Sequence, residues 1–350
     1  MAERSGSPVV SEDIALAPAV AAASVRRRPW WIGPVIAAAI FAVLGVLGFT
    51  LALGSVTTLI VVLLYVTIAQ GWNLLGGYGG YLNFGAAVLF GTGAYTAAVL
   101  NSSLKWGFFA TLPLAAAGAV IVSLVIGIAT LRLRSHYFAI FTLVLTFLAA
   151  VVVRNVPLFG GANGVYVAVP IDGNNRAITL FVFVTLLVLA IIATIVAWAV
   201  EHSRFGNALV AIKEDEPAAQ VLGVRTTSVK LWALVIGAAL AGAAGAVYAF
   251  QTGYIEPNGT FDVSLSLDIV LLCVVGGLGS WIGPLIGGVI VVVLQQWLRV
   301  AIPDISLFGV QLPAEASRLV LGVLLIVFAL FARRGIVGFV VRRRGRSVTV

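Results

Sequence analysis

Charge is scarce in this chain. Only 10% of its 350 residues are Asp, Glu, Lys or Arg, and much of that charge is collected in one stretch, residues 201–230. Cysteine is nearly absent. Cys273 stands alone inside an apolar run, which excludes an internal disulfide, a thiolate metal pair and a redox dithiol. Histidine is limited to His136 and His202. Neither belongs to an H-E-x-x-H helix pattern, which removes that class of metal hydrolase, and no G-x-x-x-x-G-K-[ST] run exists to cradle a nucleotide phosphate. Ser280 follows Gly279, but it lacks the spaced glycines of a nucleophile elbow and any placed base. Asp268 is the only acid adjoining the core of an apolar run, whereas proton-coupled carriers use several intramembrane ionisable groups.

What is present is apolar. Hydrophobic residues make up 61% of the chain and the mean hydropathy is +1.12, against about 45–50% apolar in soluble domains. The runs are continuous and do not alternate, so the sequence predicts an all-α polytopic membrane protein and not a barrel. About ten segments are expected, near residues 32–54, 56–75, 82–100, 108–131, 137–153, 178–200, 231–250, 267–280, 282–298 and 319–331. Residues 1–29 read as a disordered tail, residues 30–335 as the membrane domain and residues 336–350 as a basic tail.

The basic residues set the count. With ten segments both termini are cytoplasmic, and the inside holds Arg132, Arg134, Arg204, Lys213, Arg225, Lys230 and the arginines of both tails. The outside holds only Lys105, Arg154, Arg176, Arg299 and Arg318. Treating 267–298 as one span would put the basic C-terminal tail outside, against the positive-inside bias. The chain must therefore turn back there. The same bias accounts for the net charge of +8 without invoking nucleic acid.

Residues 201–230 form the most informative loop. Glu214, Asp215 and Glu216 precede Pro217, which suits a first helical position because its missing N–H costs nothing there. Ala218, Ala219, Gln220 and Leu222 continue the helix, and Gly223 is a natural left-handed stop. A polar connection between spans has no need of such a device. A loop that presents a rigid knob to another protein does.

Two glycine clusters share the pattern GG-x-G: Gly76-Gly77-Tyr78-Gly79 and Gly276-Gly277-Leu278-Gly279. Glycines this dense break a helix or let backbones touch. Paired glycine interruptions in two halves of a transporter point to its site. The expectation is broken helices at both clusters, with Asn73 and Asn83 as polar lining beside Gly76, Gly77, Gly79, Gly276, Gly277 and Gly279. The competing reading is close helix packing.

The run GNALVAIKEDEPAAQVLGV from Gly206 to Val224, with Lys230-Leu231 and AGAAGAVY from Ala241 to Tyr248, resembles the cytoplasmic coupling segment of branched-chain amino-acid ABC transporter permeases. The likeness continues through 71–95, 137–164, 276–288 and 319–338 and covers about residues 58–338. YFAIFTL at 137–143 and the glycine turn at 160–164 favour the M-type subunit over its H-type partner. The chain departs at Asn83, where the family often has serine, and at Arg333-Arg334-Gly335, where it has Pro-Arg-Gly.

The resemblance implies a permease in the bacterial cytoplasmic membrane that does no chemistry and holds no cofactor. It implies a second, H-type permease, two cytoplasmic ATPase subunits that bind the ATP, and an external solute-binding protein. Glu214, Asp215, Glu216, Pro217, Ala218, Ala219, Leu222 and Gly223 would then couple to the ATPase. Leucine, isoleucine and valine are the implied solutes, with urea, amides or other amino acids as alternatives. An intramembrane enzyme would need more convergent polar groups than the spans contain. A stand-alone carrier would not need the capped loop.

Overall fold

The computed structural model describes residues 32–133, 135–168 and 174–301, with two short strand pieces at 306–307 and 310–311. The expected tails at 1–29 and 336–350, the segment 319–331 and most of the 303–317 connection lie outside the described residues.

Helix α1 (Ile32–Thr50) is followed at once by α2 (Leu53–Asn73), which runs on into a π-helical turn, Leu74–Tyr78. After an extended arm come α3 (Ala86–Leu104), α4 (Phe108–Thr130), α5 (Ser135–Asn155) and α6 (Asn175–Glu201). Two short helices, α7 (Arg204–Glu214) and α8 (Glu216–Val221), then precede α9 (Thr226–Thr252). The single turn α10 (Pro257–Thr260) leads into the hairpin of α11 (Val263–Gly276) and α12 (Gly283–Ala301). Strand β1 (Val165–Tyr166) pairs antiparallel with β2 (Tyr254–Ile255), and β3 (Ser306–Leu307) with β4 (Val310–Gln311).

Among the described residues, seven helices are long and apolar enough to cross a membrane, and Gly283–Arg299 is a shorter apolar helix. The expected break near Ser55 falls earlier, at Leu51-Ala52. The expected segment from 82 begins as helix only at Ala86. The turn-back required by the charge pattern lies between Gly276 and Gly283.

Helix α9 is the centre of the bundle, with 83% of its apolar window buried. It packs against α2, α3, α4 and α6. Small residues set those approaches, because lipid supplies no hydrophobic drive between spans and close backbone contact has to supply dispersion instead. A Cβ on Gly71 of α2 would lie 2.9 Å from the Cα of Gly237. Gly93 of α3 abuts Gly242 in the same way, and Gly245 faces the Phe90 carbonyl. By contrast, Ile121 and Val125 of α4 and Ile140, Val144 and Phe147 of α5 point outward, as a lipid-facing or partner-facing surface requires.

The helices alternate in direction, so the connections gather at two ends. One end collects residues 79–85, 131–133, 202–225 and 277–282. The other collects 105–107, the 156–168 turn and the β1–β2 pair.

Candidate functional site

The first of these ends is built around α7 and α8. Ser203 accepts a hydrogen bond from the Gly206 amide (3.2 Å) and starts α7. Leu209 and Ile212 bury its inner side. The backbone turns out at Asp215, whose carboxylate accepts from the Ala218 amide at 3.0 Å and caps α8. Pro217 stands one place inside the first helical residue, Glu216, not at the first position expected of it, and Glu214 closes α7.

The far end of α8 is closed by a complete Schellman pair. The Gly223 amide returns to the Gln220 carbonyl (2.9 Å) and the Val224 amide to the Ala219 carbonyl (3.0 Å). Gly223 holds φ +87°, which is why glycine stands there. The result is a rigid knob whose last turn exposes Val221 (88%) and Leu222 (83%). Glu214, Asp215, Pro217, Ala218 and Gly223 are exposed beside them. Ala219 and Glu216 depart from the expected outward face: Ala219 is buried, and Glu216 turns inward.

Beneath the knob sits Lys230, only 2% exposed. Its ammonium donates to Glu216 Oε1 (2.6 Å), to the Tyr81 hydroxyl (3.0 Å) and to the Leu131 carbonyl (3.0 Å). It also lies 4.3 Å from the centre of the Tyr81 ring. The Tyr81 hydroxyl in turn donates to Glu216 Oε2. Burial pushes the Glu216 carboxyl up, but the hydrogen bonds from Lys230 and Tyr81 and the Lys230 charge outweigh it, leaving the pKa below the ordinary glutamate value. Next to this knot lies an open cleft of about 640 Å³, lined by Arg132, His136, Lys213 and Pro217 among others.

The two glycine clusters meet at the same end. Asn73 donates to the Ser280 carbonyl (3.0 Å) and accepts from the Gly279 amide (3.1 Å). Lys213 of α7 donates to the Gly77 carbonyl at 3.0 Å. Glu201, the last residue of α6, accepts from the Tyr78 hydroxyl and from the Trp281 amide (2.9 Å). Gly76 lies against the Trp72 ring, Gly79 against the Leu75 carbonyl, and Gly276 against Gly283. Gly277 takes φ +127° to turn the hairpin. Asn83 bonds within its own arm and to the neighbouring helix. Its side chain accepts from the Gly85 amide (2.8 Å) and its carbonyl from the Trp72 indole (2.6 Å). It also borders two cavities of about 10 Å³ each, room for roughly one water.

Sequence reasoning missed α7 and the inward roles of Glu201, Lys213, Glu216 and Lys230. The signal for α7 was present: Ser203 as cap, then Phe205, Leu209 and Ile212 at i, i+4 and i+7. No comparable signal marks these inward contacts, because their partners come from remote segments. Among the described residues there is no cluster of three or more His, Cys, Asp or Glu that could hold a metal. The arrangement is mechanical: an exposed knob tied through polar contacts to the ends of spans.

A family model described as the permease component of branched-chain amino acid transport systems matches residues 54–329. The high-affinity branched-chain amino acid transport system permease protein LivM of Salmonella typhimurium is 28% identical over 316 residues, 82% of this chain and 71% of that protein. Its counterpart in Escherichia coli K12 is 27% identical over the same shares. The autoinducer 2 import system permease protein LsrC of Escherichia coli O9:H4 is 31% identical over 144 residues, 41% of each chain. No solved structure gives a significant match.

Proposed function

The chain belongs to the family of permease components of branched-chain amino acid transport systems, and from that premise we propose that it is the M-type permease subunit of an importer for leucine, isoleucine and valine in a bacterial cytoplasmic membrane. ATP hydrolysis by two cytoplasmic ATPase subunits drives its alternating access. An H-type permease completes the path, and an external binding protein delivers the solute. The chain carries no reaction itself.

The observation that supports this reading is the capped knob of α8. A six-residue helix closed at both ends, with two large apolar side chains almost fully exposed, is shaped for a groove on another protein. Val221 and Leu222 are the docking residues, framed by Glu214, Asp215, Pro217, Ala218 and Gly223. Both termini are then cytoplasmic, on the side of the knob.

The sequence pattern places Asn73, Gly76, Gly77, Gly79, Gly276, Gly277 and Gly279 along the route, with Asn83. Their contacts favour packing: the Asn73 amide spends its oxygen and nitrogen on the facing cluster. We assign Asn73, Gly77 and Gly279, which meet there, to the junction between α2 and the α11–α12 hairpin.

The test is co-purification and uptake. The wild-type chain, expressed with its genomic neighbours, should carry ATPase subunits through purification, and vesicles holding the complex should take up leucine with a loaded binding protein. Val221→Asp with Leu222→Asp should abolish the association, because two charges would be buried in an apolar groove. Retention of the ATPases by that variant would sink the docking assignment. Uptake of an amide, urea or another amino acid in place of leucine would replace the solute and keep the class.

A further inference from the structure

Four elements converge on one buried ammonium. Lys230 belongs to the first turns of α9, the central helix. Glu216 opens α8, Tyr81 stands on the arm that follows the π turn, and Leu131 ends α4. All three are hydrogen-bonded to Lys230 Nζ within 3.0 Å. Glu216 and Tyr81 are also bonded to each other, which closes the set.

The alternatives for this pair, with Lys230 buried and Glu216 24% exposed, differ in their consequences. A docking contact would need Glu216 to face outward, and it does not. A stability element is weakly favoured by energetics, because desolvation of a buried ion pair offsets most of its attraction, and a neutral pair of similar shape is often as stable. What a pair so bonded does supply is a fixed geometry between the pieces it joins. Here it joins the knob to a span that itself packs against α2, α3, α4 and α6. Force applied at Val221 and Leu222 can also pass inward through the buried Ala219, through the Gln220–Thr226 hydrogen bond (3.0 Å) and through α7, but only the Lys230 knot ties α8 to α9, α4 and the glycine arm at one point. The peptide link from Leu222 to Arg225 turns through a glycine at φ +87° with no atom within 4 Å of where a side chain would begin, a poor strut.

We propose that the Glu216–Lys230 pair, with Tyr81, is the transmission between the coupling helix and the spans: it passes displacement of α8 to α9, to the glycine arm and to α4, and it has no part in ATPase docking. The pair consists of positioning residues that touch neither ATP nor solute. This rests on the docking of α8 proposed above.

The experiment uses the whole complex with its ATPases and binding protein. Glu216→Gln alone leaves a buried ammonium without its counter-ion, so the informative variant is the double Glu216→Gln with Lys230→Met, which removes both charges, keeps the length of the first side chain and shortens the second by one atom. We expect the double variant to insert, to co-purify with the ATPases and to hydrolyse ATP, while uptake per ATP hydrolysed falls about tenfold, within the range of ordinary coupling between sites. Glu216→Asp, which keeps the charge, should retain more coupling than the double variant. Wild-type uptake per ATP by the double variant overturns the proposal and leaves the pair without a transmitting role. Loss of the ATPases from an inserted double variant makes the pair a docking element, and absence of the double variant from the membrane makes it a folding element; either also overturns it. A wild-type chain that never associates with an ATPase is a different failure, since it refutes the docking of α8 and this inference with it.

Discussion

Gly77→Ala is the most exacting test of how the two glycine clusters meet. A methyl group at this position would overlap the Asn73 side-chain oxygen and lie 2.7 Å from the Gly279 amide nitrogen. Side chains essentially never come within 3.0 Å of such neighbours, so Asn73 must leave its place. It then loses its bonds to Ser280 (3.0 Å) and Gly279 (3.1 Å). Two hydrogen bonds are worth about 2 kcal/mol net, and forcing a methyl into a filled site costs about 1–3 kcal/mol. Against this stands the gain of about 1 kcal/mol from replacing a helical glycine by alanine. The net loss is about 2–4 kcal/mol, or a fall in thermal midpoint of about 3–5 °C for a chain of this length. Gly54→Ala is the control: it lies in α2 with nothing within 4 Å of the added carbon, and it should raise stability slightly. The assay is thermal unfolding of the purified protein in detergent. Asn73→Ala should be combined with Gly77→Ala, because removing the oxygen removes the worst overlap and the two losses should fall short of their sum. A Gly77→Ala midpoint equal to that of Gly54→Ala, or full additivity with Asn73→Ala, would refute the reasoning.

Two further outcomes are expected. Gly223→Val should cost about 1–2 kcal/mol of local backbone strain, since φ is +87° and no neighbouring atom is crowded; reconstituted vesicles should show weaker coupling at normal expression, and unchanged coupling would remove Gly223 from the site. In topology, Cys273 is buried and silent, so an impermeant thiol reagent on intact cells should label Gly107→Cys and leave Leu222→Cys unlabelled until the membrane is opened; the reverse pattern would invert the proposed orientation.

The spans were legible because their signal is local. Apolar runs predicted α4, α5, α6 and α9 to within a few residues, and the six arginines after Phe331 required a turn-back within residues 267–298. The capped helix at Glu216 was legible for the same reason. What the sequence could not display is which way charged side chains turn. Glu216 and Lys230 read as charges of a polar loop, yet they bond across 14 residues in sequence to each other, and Lys230 reaches 149 residues to Tyr81 and 99 to Leu131. The matching GG-x-G patterns were visible, but their contact is not a property of either pattern. It follows from α2 lying beside α11 and α12, which brings Asn73 within reach of Ser280.

The enclosure of α9 bears on the order in which the bundle can be made. A ribosome delivers α2, α3, α4 and α6 before Thr226–Thr252 exists, yet these four helices are the ones that surround it. Until then Gly71, Gly93 and the Phe90 carbonyl lack the neighbours that Gly237, Gly242 and Gly245 supply, positions where a Cβ would clash. The early helices therefore wait in the bilayer with their tightest contacts unmade. The helix that arrives to complete them also brings Lys230, whose ammonium must reach Glu216, synthesised moments earlier. The axis of this bundle is therefore made after the four helices that enclose it, and the α11–α12 hairpin is added to α2 last among the described helices.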